Sequence, residues 1–302
     1  MMLRLLTLLN RDRCRNWLTP ALEKRYGGPL GFPAPSAERP YVVINFVKTL
    51  DGFVSFQLPG CEYAQYISNR SQEDAFIMGL LRAVSDAVLE GTTNIVGFPQ
   101  HTLLPARVAS AQAGQFALLR QRLKKNANPL HVFLTRSGQV LATPPLTNVS
   151  QIPIMFRAPD LQAVVITTDA GAERIAREFR GFEAFRPKIF STGRELNIAR
   201  ALCHLRRQHG VKLLVVEGGP RLCGSIVQPR LYDEWFLTTA PQVIGDAASS
   251  HRPTLVQGVA FTPQTALWHR LISLKVAGNM VFERYRVAMK GVPIKVFNPL
   301  GR

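Results

Sequence analysis

The residues best suited to chemistry stand together at Glu217-Gly218-Gly219-Pro220. Before them, Leu213-Leu214-Val215-Val216 is the continuous apolar run that a buried strand requires. Pro220 suits the first position of a helix, and Leu222, Ile226 and Val227 continue with helical spacing. A strand therefore ends, the backbone turns on residues without a Cβ, and a helix begins. Free backbone N–H groups and the positive end of that helix converge on one spot, which suits a phosphate. Glu217, at the carboxyl end of the strand, stands where open α/β sheets bind ligands. The same residues also suit an ordinary strand–turn–helix corner carrying a solvated carboxylate, because short glycine motifs recur by chance. A second candidate is Thr135-Arg136-Ser137, after the apolar run 130–134. Short hydroxyls with an arginine at a strand end suit a phosphomonoester, or simply a polar turn.

The elements that must position these residues alternate along the chain. Tyr41 to Val47 reads as a central strand, turning at Thr49-Leu50-Asp51-Gly52. Asn69 or Ser71 can cap a helix whose apolar stripe is Phe76, Ile77, Leu80, Leu81 and Val84, with Arg82 beside it. Ala87-Val88-Leu89 is a short strand, followed by a polar loop over Glu90-Gly91-Thr92-Thr93-Asn94. Residues 109–125 read as one amphipathic helix. Strands at 163–168 and 188–190 alternate with helices at 172–180 and 197–209. Residues 267–275 and 280–287 flank Ala277-Gly278-Asn279 as a closing hairpin. This order implies an α/β domain over residues 39–288, with a mostly parallel central sheet, helices on both faces and a C-terminal antiparallel hairpin. Residues 1–38 read as an N-terminal helical extension, with Met1–Leu9 a helix laid against the domain or a partner subunit and a Gly/Pro-rich connector from Gly27. Residues 289–302 read as a basic C-terminal tail.

Composition narrows the class. The 302 residues are 46% hydrophobic and 19% charged, enough for a substantial core and without fibrous or disordered bias. No apolar run approaches the roughly 20 residues that span a bilayer. The cysteines at 14, 61, 203 and 223 form no Cys-x-x-Cys pair, and in a chain of this length they point to a reducing, cytoplasmic compartment. Cys203, His204 and His209 match no common zinc spacing, so no metal is expected. Lys and Arg number 37 against 20 acidic residues, a net charge of +17. The basic residues are spread out rather than gathered in one block, which weakens a nucleic-acid partner.

Glu-Gly-Gly-Pro-x-Leu-x-Gly at 217–224, Leu-Tyr-Asp-Glu-Trp at 231–235 and Ala-Pro-x-x-x-Gly at 240–245 closely resemble the reductase domain of riboflavin biosynthesis. That domain is the C-terminal half of the bacterial bifunctional deaminase/reductase and a separate protein elsewhere. The resemblance extends to Arg39–Asn45, Thr49–Gly52 and Leu81–Leu89, and ends near Arg286. It implies a dihydrofolate reductase-like fold, a homodimer, and NADPH-dependent reduction of the ribosylamino side chain of a (di)aminopyrimidine 5′-phosphate to the ribityl form. It further implies a cofactor site at Gly218, Gly219, Pro220, Leu222 and Gly224, with Thr93 and Asn94 opposite, Lys48 beside the nicotinamide, and Thr135, Arg136 and Ser137 at the 2′-phosphate. Asn45, Asp51, Arg82, Glu217 and Arg107 fall to the substrate, with Arg107 on a phosphate-contacting loop spanning 101–107; Glu217 is the candidate catalytic residue. Departures stand out. Asn45 replaces the Lys of many bifunctional members, Thr93-Asn94 replaces Gly-Thr, and Phe98 stands where an Asp is common. The alternatives are a same-fold reductase of another pterin- or pyrimidine-like compound and, from a different class, a basic nucleic-acid-binding protein on a reductase scaffold.

Overall fold

The fold is described from a computed structural model covering residues 4–247 and 250–288. The tail at 289–302 lies outside the described residues.

The strands are β1 (Leu6–Asn10), β2 (Tyr41–Lys48), β3 (Ala87–Gly91), β4 (Leu130–Leu134), β5 (Ala163–Thr167), β6 (Lys188–Ser191), β7 (Leu213–Val216), β8 (Glu234–Thr239), β9 (His269–Ala277) and β10 (Met280–Val287). The helices are α1 (Pro20–Tyr26), α2 (Ala64–Ile67), α3 (Gln72–Val84), α4 (Thr93–Gly97), α5 (Pro105–Val108), α6 (Ala113–Arg122), α7 (Ile154–Arg157), α8 (Asp169–Glu178), α9 (Ile198–Gln208) and α10 (Pro220–Val227). They build one ten-stranded sheet in the order β1-β9-β10-β8-β2-β7-β3-β4-β5-β6. From β8 to β6 all neighbours pair in parallel; β10, β9 and β1 add antiparallel strands at one edge. Parallel strands covered on both faces need unbroken apolar runs, and Leu213–Val216 and Tyr41–Ile44 are wholly buried.

One face packs Val43, Val215 and Phe236 under Phe76, Leu80 and Phe116 of α3 and α6. Val88, Phe133 and Val165 extend this face toward Ile175 of α8. The other face packs Ile44, Leu89 and Val216 under Leu202 and Leu205 of α9 and Ile226 of α10. Ser71 caps α3 by accepting from the Asp74 N–H, and Asn197 caps α9 likewise through Arg200 N–H.

Of the helix expected at Met1–Leu9, residues 1–3 lie outside the described residues, and Leu6–Asn10 is instead strand β1, antiparallel to β9. Leu6 and Leu8 point outward while Thr7 and Leu9 alternate inward, a period of two rather than 3.6. So short a segment is marginal as a helix, whereas the edge of β9 offers a row of unpaired N–H and C=O groups. The segment is locked on. Lys275 of β9, 1% exposed, donates to Thr7 Oγ1 at 2.6 Å and to the Gly27 carbonyl at 3.2 Å. Its burial lowers the ammonium pKa to about 8, with the Arg284 charge adding to the effect. Leu5, Leu18, Leu22, Tyr26 and Phe32 share one core with Val43 and Phe76. The single helix expected at 109–125 is also shorter: a 3-10 turn at Ser110–Gln112 precedes α6.

Candidate functional site

Strand register sets the site. Ile44 of β2, Val216 of β7 and Leu89 of β3 lie side by side. One position further toward the carboxyl ends come Asn45, Glu217 and Glu90. Side chains alternate across a strand, so these point to the opposite face from Ile44, Val216 and Leu89, which is the face covered by α3. Phe236 beside Asn45 and Phe133 beside Glu90 close the row at either end.

Glu217 is fixed from both sides. Its backbone N–H donates to the Leu89 carbonyl at 2.9 Å. Arg82, from the last turn of α3, donates to Glu217 Oε2 through Nε at 2.9 Å and Nη2 at 2.7 Å. Its Nη1 reaches the carbonyls of Thr102 and Leu104 at 3.4 and 3.3 Å. The two side chains are only 4% and 6% exposed. Both guanidinium bonds fall on the same oxygen, so Glu217 Oε1 is buried without a partner. The half-buried Asn45 amide has none among the described residues either. A carboxylate oxygen and a carboxamide side by side can accept from and donate to the edge of a nitrogen heterocycle.

Two turns before Arg82, Asp74 is buried against the hydroxyls of Ser68 and Thr238. Burial pushes its carboxyl pKa up to about 6, the Glu217 charge adds to the rise, and the two hydroxyls oppose it.

Glu90 ends β3 with its side chain 3% exposed. Asn94 Nδ2 donates to its Oε2 at 3.0 Å, and His101 Nε2 stands 3.0 Å from its Oε1. One donor of the Asn94 amide is therefore given to Glu90. The polar loop expected at 90–94 gives way at Thr93 to the short helix α4. Thr93 is exposed at its start.

The strand–turn–helix joint has the expected form. Gly219 is the N-cap of α10 in extended backbone, with Pro220 at the first helical position. A Cβ on Gly219 would meet nothing within 4 Å, so this backbone is open to an approaching group. Gly218 is confined: a Cβ there would stand 2.1 Å from Leu222 Cδ2 and 3.3 Å from the Gly91 nitrogen. The loops ending β7 and β3 thus touch at these glycines. At Gly224 the Cα faces the Gln257 carbonyl, which a Cβ would meet at 2.0 Å, so this glycine packs the 257 loop against α10.

Further along the carboxyl edge, Thr135 is buried at the end of β4, and the Arg136 side chain is exposed without a partner among the described residues. Ser137 Oγ accepts from the Gln139 N–H at 3.3 Å. Gly138 (φ +70°) lies against Gly171 of α8, and Thr168 Oγ1 donates to the Arg136 carbonyl at 2.9 Å. At the other side Lys48, half-buried, ends β2 beside Thr239. Asp51 accepts from the backbone N–H groups of Ile244 and Gly245 at 3.1 and 2.7 Å and from Thr49 Oγ1. Those bonds fasten the 49–53 turn to the 244–245 loop and occupy both oxygens. Arg107 is exposed at the end of α5. The structure therefore brings Asn45, Arg82 and Glu217 together, with Gly218 and Gly219 adjacent.

The profile of the RibD C-terminal domain matches residues 40–281. The chain belongs to that family. Within it, a 2,5-diamino-6-ribosylamino-4(3H)-pyrimidinone 5′-phosphate reductase of Archaeoglobus fulgidus is 28% identical over 224 residues, covering 74% of this chain and 89% of the relative. A protein of the same name from Aquifex aeolicus is 25% identical over 255 residues, covering 84% and 99%. Among solved structures, a pyrimidine reductase-like protein of Corynebacterium diphtheriae superposes with a TM-score of 0.60 at 20% identity, covering 82% of this chain and 92% of that one. The Saccharomyces cerevisiae riboflavin biosynthesis reductase gives 0.53 at 12% identity, covering 90% and 96%. These likenesses show the fold, dihydrofolate reductase-like as expected.

Around this row the structure places three polar side chains that the sequence did not single out, Glu90, His101 and Asp74. One signal was available for Glu90. Val88-Leu89-Glu90-Gly91 repeats the pattern Val215-Val216-Glu217-Gly218: an apolar strand, a glutamate at its carboxyl end, then glycine. His101 comes from a loop with no periodicity to place it.

Proposed function

We propose that this protein reduces a ribosylaminopyrimidine 5′-phosphate of riboflavin biosynthesis to its ribityl form, with NADPH as the reductant, as a cytoplasmic homodimer. The observation that carries the reading is the unpartnered pair at the row's centre. Among the described residues Glu217 Oε1 is a buried acceptor with nothing to accept from, and the Asn45 amide beside it has no partner. Amino and carbonyl groups on a pyrimidine edge satisfy both, and an uncompensated buried acceptor disfavours a ligand lacking them. Arg82 holds the Glu217 carboxylate in one orientation, so no reorganisation is needed when substrate arrives.

The residues fit a pyridine dinucleotide. The open backbone at Gly219 and the start of α10 suit the diphosphate, and the unpartnered Arg136 guanidinium beside Thr135 and Ser137 suits a 2′-phosphate. When bound, the reduced nicotinamide supplies a hydride. The chain's own part is to hold the pyrimidine against the β2 and β7 strand ends and to exclude water from the acceptor carbon. The test offers the deaminated and non-deaminated pyrimidine phosphates side by side, each with NADPH and with NADH, and follows cofactor absorbance. Turnover of one pyrimidine with a preference for NADPH supports the reading. Turnover only with a pterin-like control moves the activity to another heterocycle.

A further inference from the structure

Glu90 and His101 form a carboxylate–imidazole contact that the reading above leaves without a task. The Glu90 side chain is 3% exposed and that of His101 27%. Nε2 and Oε1 approach to 3.0 Å, yet off the ring N–H direction, so neither atom has a hydrogen bond. The next residue, Thr102, has a buried hydroxyl without a partner, and Glu217 Oε1 is in the same condition on the adjacent strand. Arg82 ties these groups into one place, since it pairs with Glu217 and donates to the Thr102 carbonyl. Buried polar atoms are normally satisfied. Such a gathering of orphans around one row points to a ligand that completes it.

The chemistry of the pair is that of a held imidazole. A buried carboxylate 3.0 Å from one ring nitrogen can accept from it once the ring turns into line, which leaves the other nitrogen to exchange a proton with substrate. Asn94 holds the second Glu90 oxygen, so the carboxylate cannot swing away. His101 Nδ1 has no partner among the described residues. The other ionisable groups at the row are committed: Arg82 to Glu217, and Asp74 to Ser68 and Thr238.

We propose that His101 is the proton donor that opens the sugar ring of the substrate, with Glu90 as its positioning residue. The proposal rests on the pyrimidine reductase reading. Protonated His101 passes the Nδ1 proton to the ring oxygen as the bond from that oxygen to C1′ breaks. The bonding pair goes to the oxygen, which becomes a hydroxyl, while the lone pair of the exocyclic nitrogen forms C1′=N. C1′ then takes a hydride from the reduced nicotinamide, so one proton and one hydride are consumed per turnover. His101 is left neutral with its remaining proton on Nε2, facing Glu90, and its partial exposure lets water return the proton.

Ring opening has a readout of its own. Reclosure of the open form scrambles C1′, so the protein should interconvert the two anomers of the pyrimidine phosphate without any cofactor, followed by NMR exchange. His101→Gln, a change on a partly exposed loop, should slow this exchange at least tenfold and lower kcat about a hundredfold, the reach of general acid catalysis. NADPH affinity and KM should stay within about threefold. Imidazole added to His101→Ala should restore part of both rates. Glu90→Gln should lower kcat by about tenfold with KM unchanged. Anomer exchange that is absent in the unsubstituted protein, or unaffected by His101→Gln, overturns the proposal. Failure of the unsubstituted protein to oxidise NADPH overturns the reductase reading instead, whatever the exchange shows.

Discussion

At the scale of the residue, Glu217 and Arg82 are one object. The sequence marks each as a substrate contact, but they are 135 positions apart, and nothing in spacing or composition shows that they pair. The pairing changes what a substitution does. Glu217→Gln leaves the buried Arg82 guanidinium without its counter-ion, which costs about 3–5 kcal/mol of stability as well as substrate contact. We expect a roughly hundredfold lower kcat/KM, NADPH affinity within about threefold, and a clearly lower melting temperature. A double variant, Arg82→Met with Glu217→Gln, should recover stability and not activity. If the single variant keeps full turnover, the row is scaffold. Asp74 gives a second expectation. Its carboxyl pKa is raised from 3.8 to about 6, so between those values the folded state binds more protons than the unfolded state. Stability contributed by the protonated form is therefore complete below the lower value and is lost as pH rises through the upper one, by about 3 kcal/mol in all. Asp74→Asn mimics the protonated form. It should match the parent near pH 4 and exceed it near pH 8 in urea melts; equal stability at both pH values would contradict the burial argument.

Elements were legible where their pattern was local. Leu213–Val216 and Tyr41–Ile44 are apolar runs longer than a surface strand would carry, so the parallel sheet could be read directly. The hairpin of β9 and β10 was marked by Ala277-Gly278-Asn279 at its turn. Met1–Leu9 misled because its hydrophobicity was read without its period; the edge of β9, which decides it, is far away in sequence. Candidate site residues follow the same division. Glu217 and the glycines after it were legible from a strand end, whereas Glu90 needed the register of β3 against β7, and His101 needed the path of a loop. For α10 the consequence is testable. Gly219 sits in extended backbone that any residue adopts, with open space beyond it, so Gly219→Val should fold normally. Its branched side chain would fill the approach to the helix start and lower NADPH affinity tenfold or more. Fluorescence titration showing unaltered NADPH binding would move the diphosphate elsewhere.

At the scale of the whole molecule, the N-terminal segment closes the antiparallel edge through charge. Asp12 pairs with Arg284 at 2.5 Å and Arg286 at 3.5 Å, and both arginines also bind Glu234 of β8 at 2.6 Å. Burial alone would raise the Asp12 pKa; Arg284 and the Cys14 backbone N–H together outweigh it and hold it below 3.8. A depressed carboxyl stabilises the fold above its unfolded value and loses that contribution as pH falls through the folded one. Asp12→Asn should therefore cost about 3 kcal/mol at pH 7, a gap that narrows below 3.8; a gap independent of pH would contradict it. This anchored edge supports β8 and β2, and β2 carries Asn45 to the row. The central claim is that the row at the ends of β2, β7 and β3 presents a ribosylaminopyrimidine to a reduced nicotinamide. The most direct measurement follows deuterium from NADPH labelled at C4 into the product. The account predicts one deuterium on C1′ of a ribityl chain, seen by mass spectrometry and NMR. A product without the label, or a label on the pyrimidine ring, would contradict it.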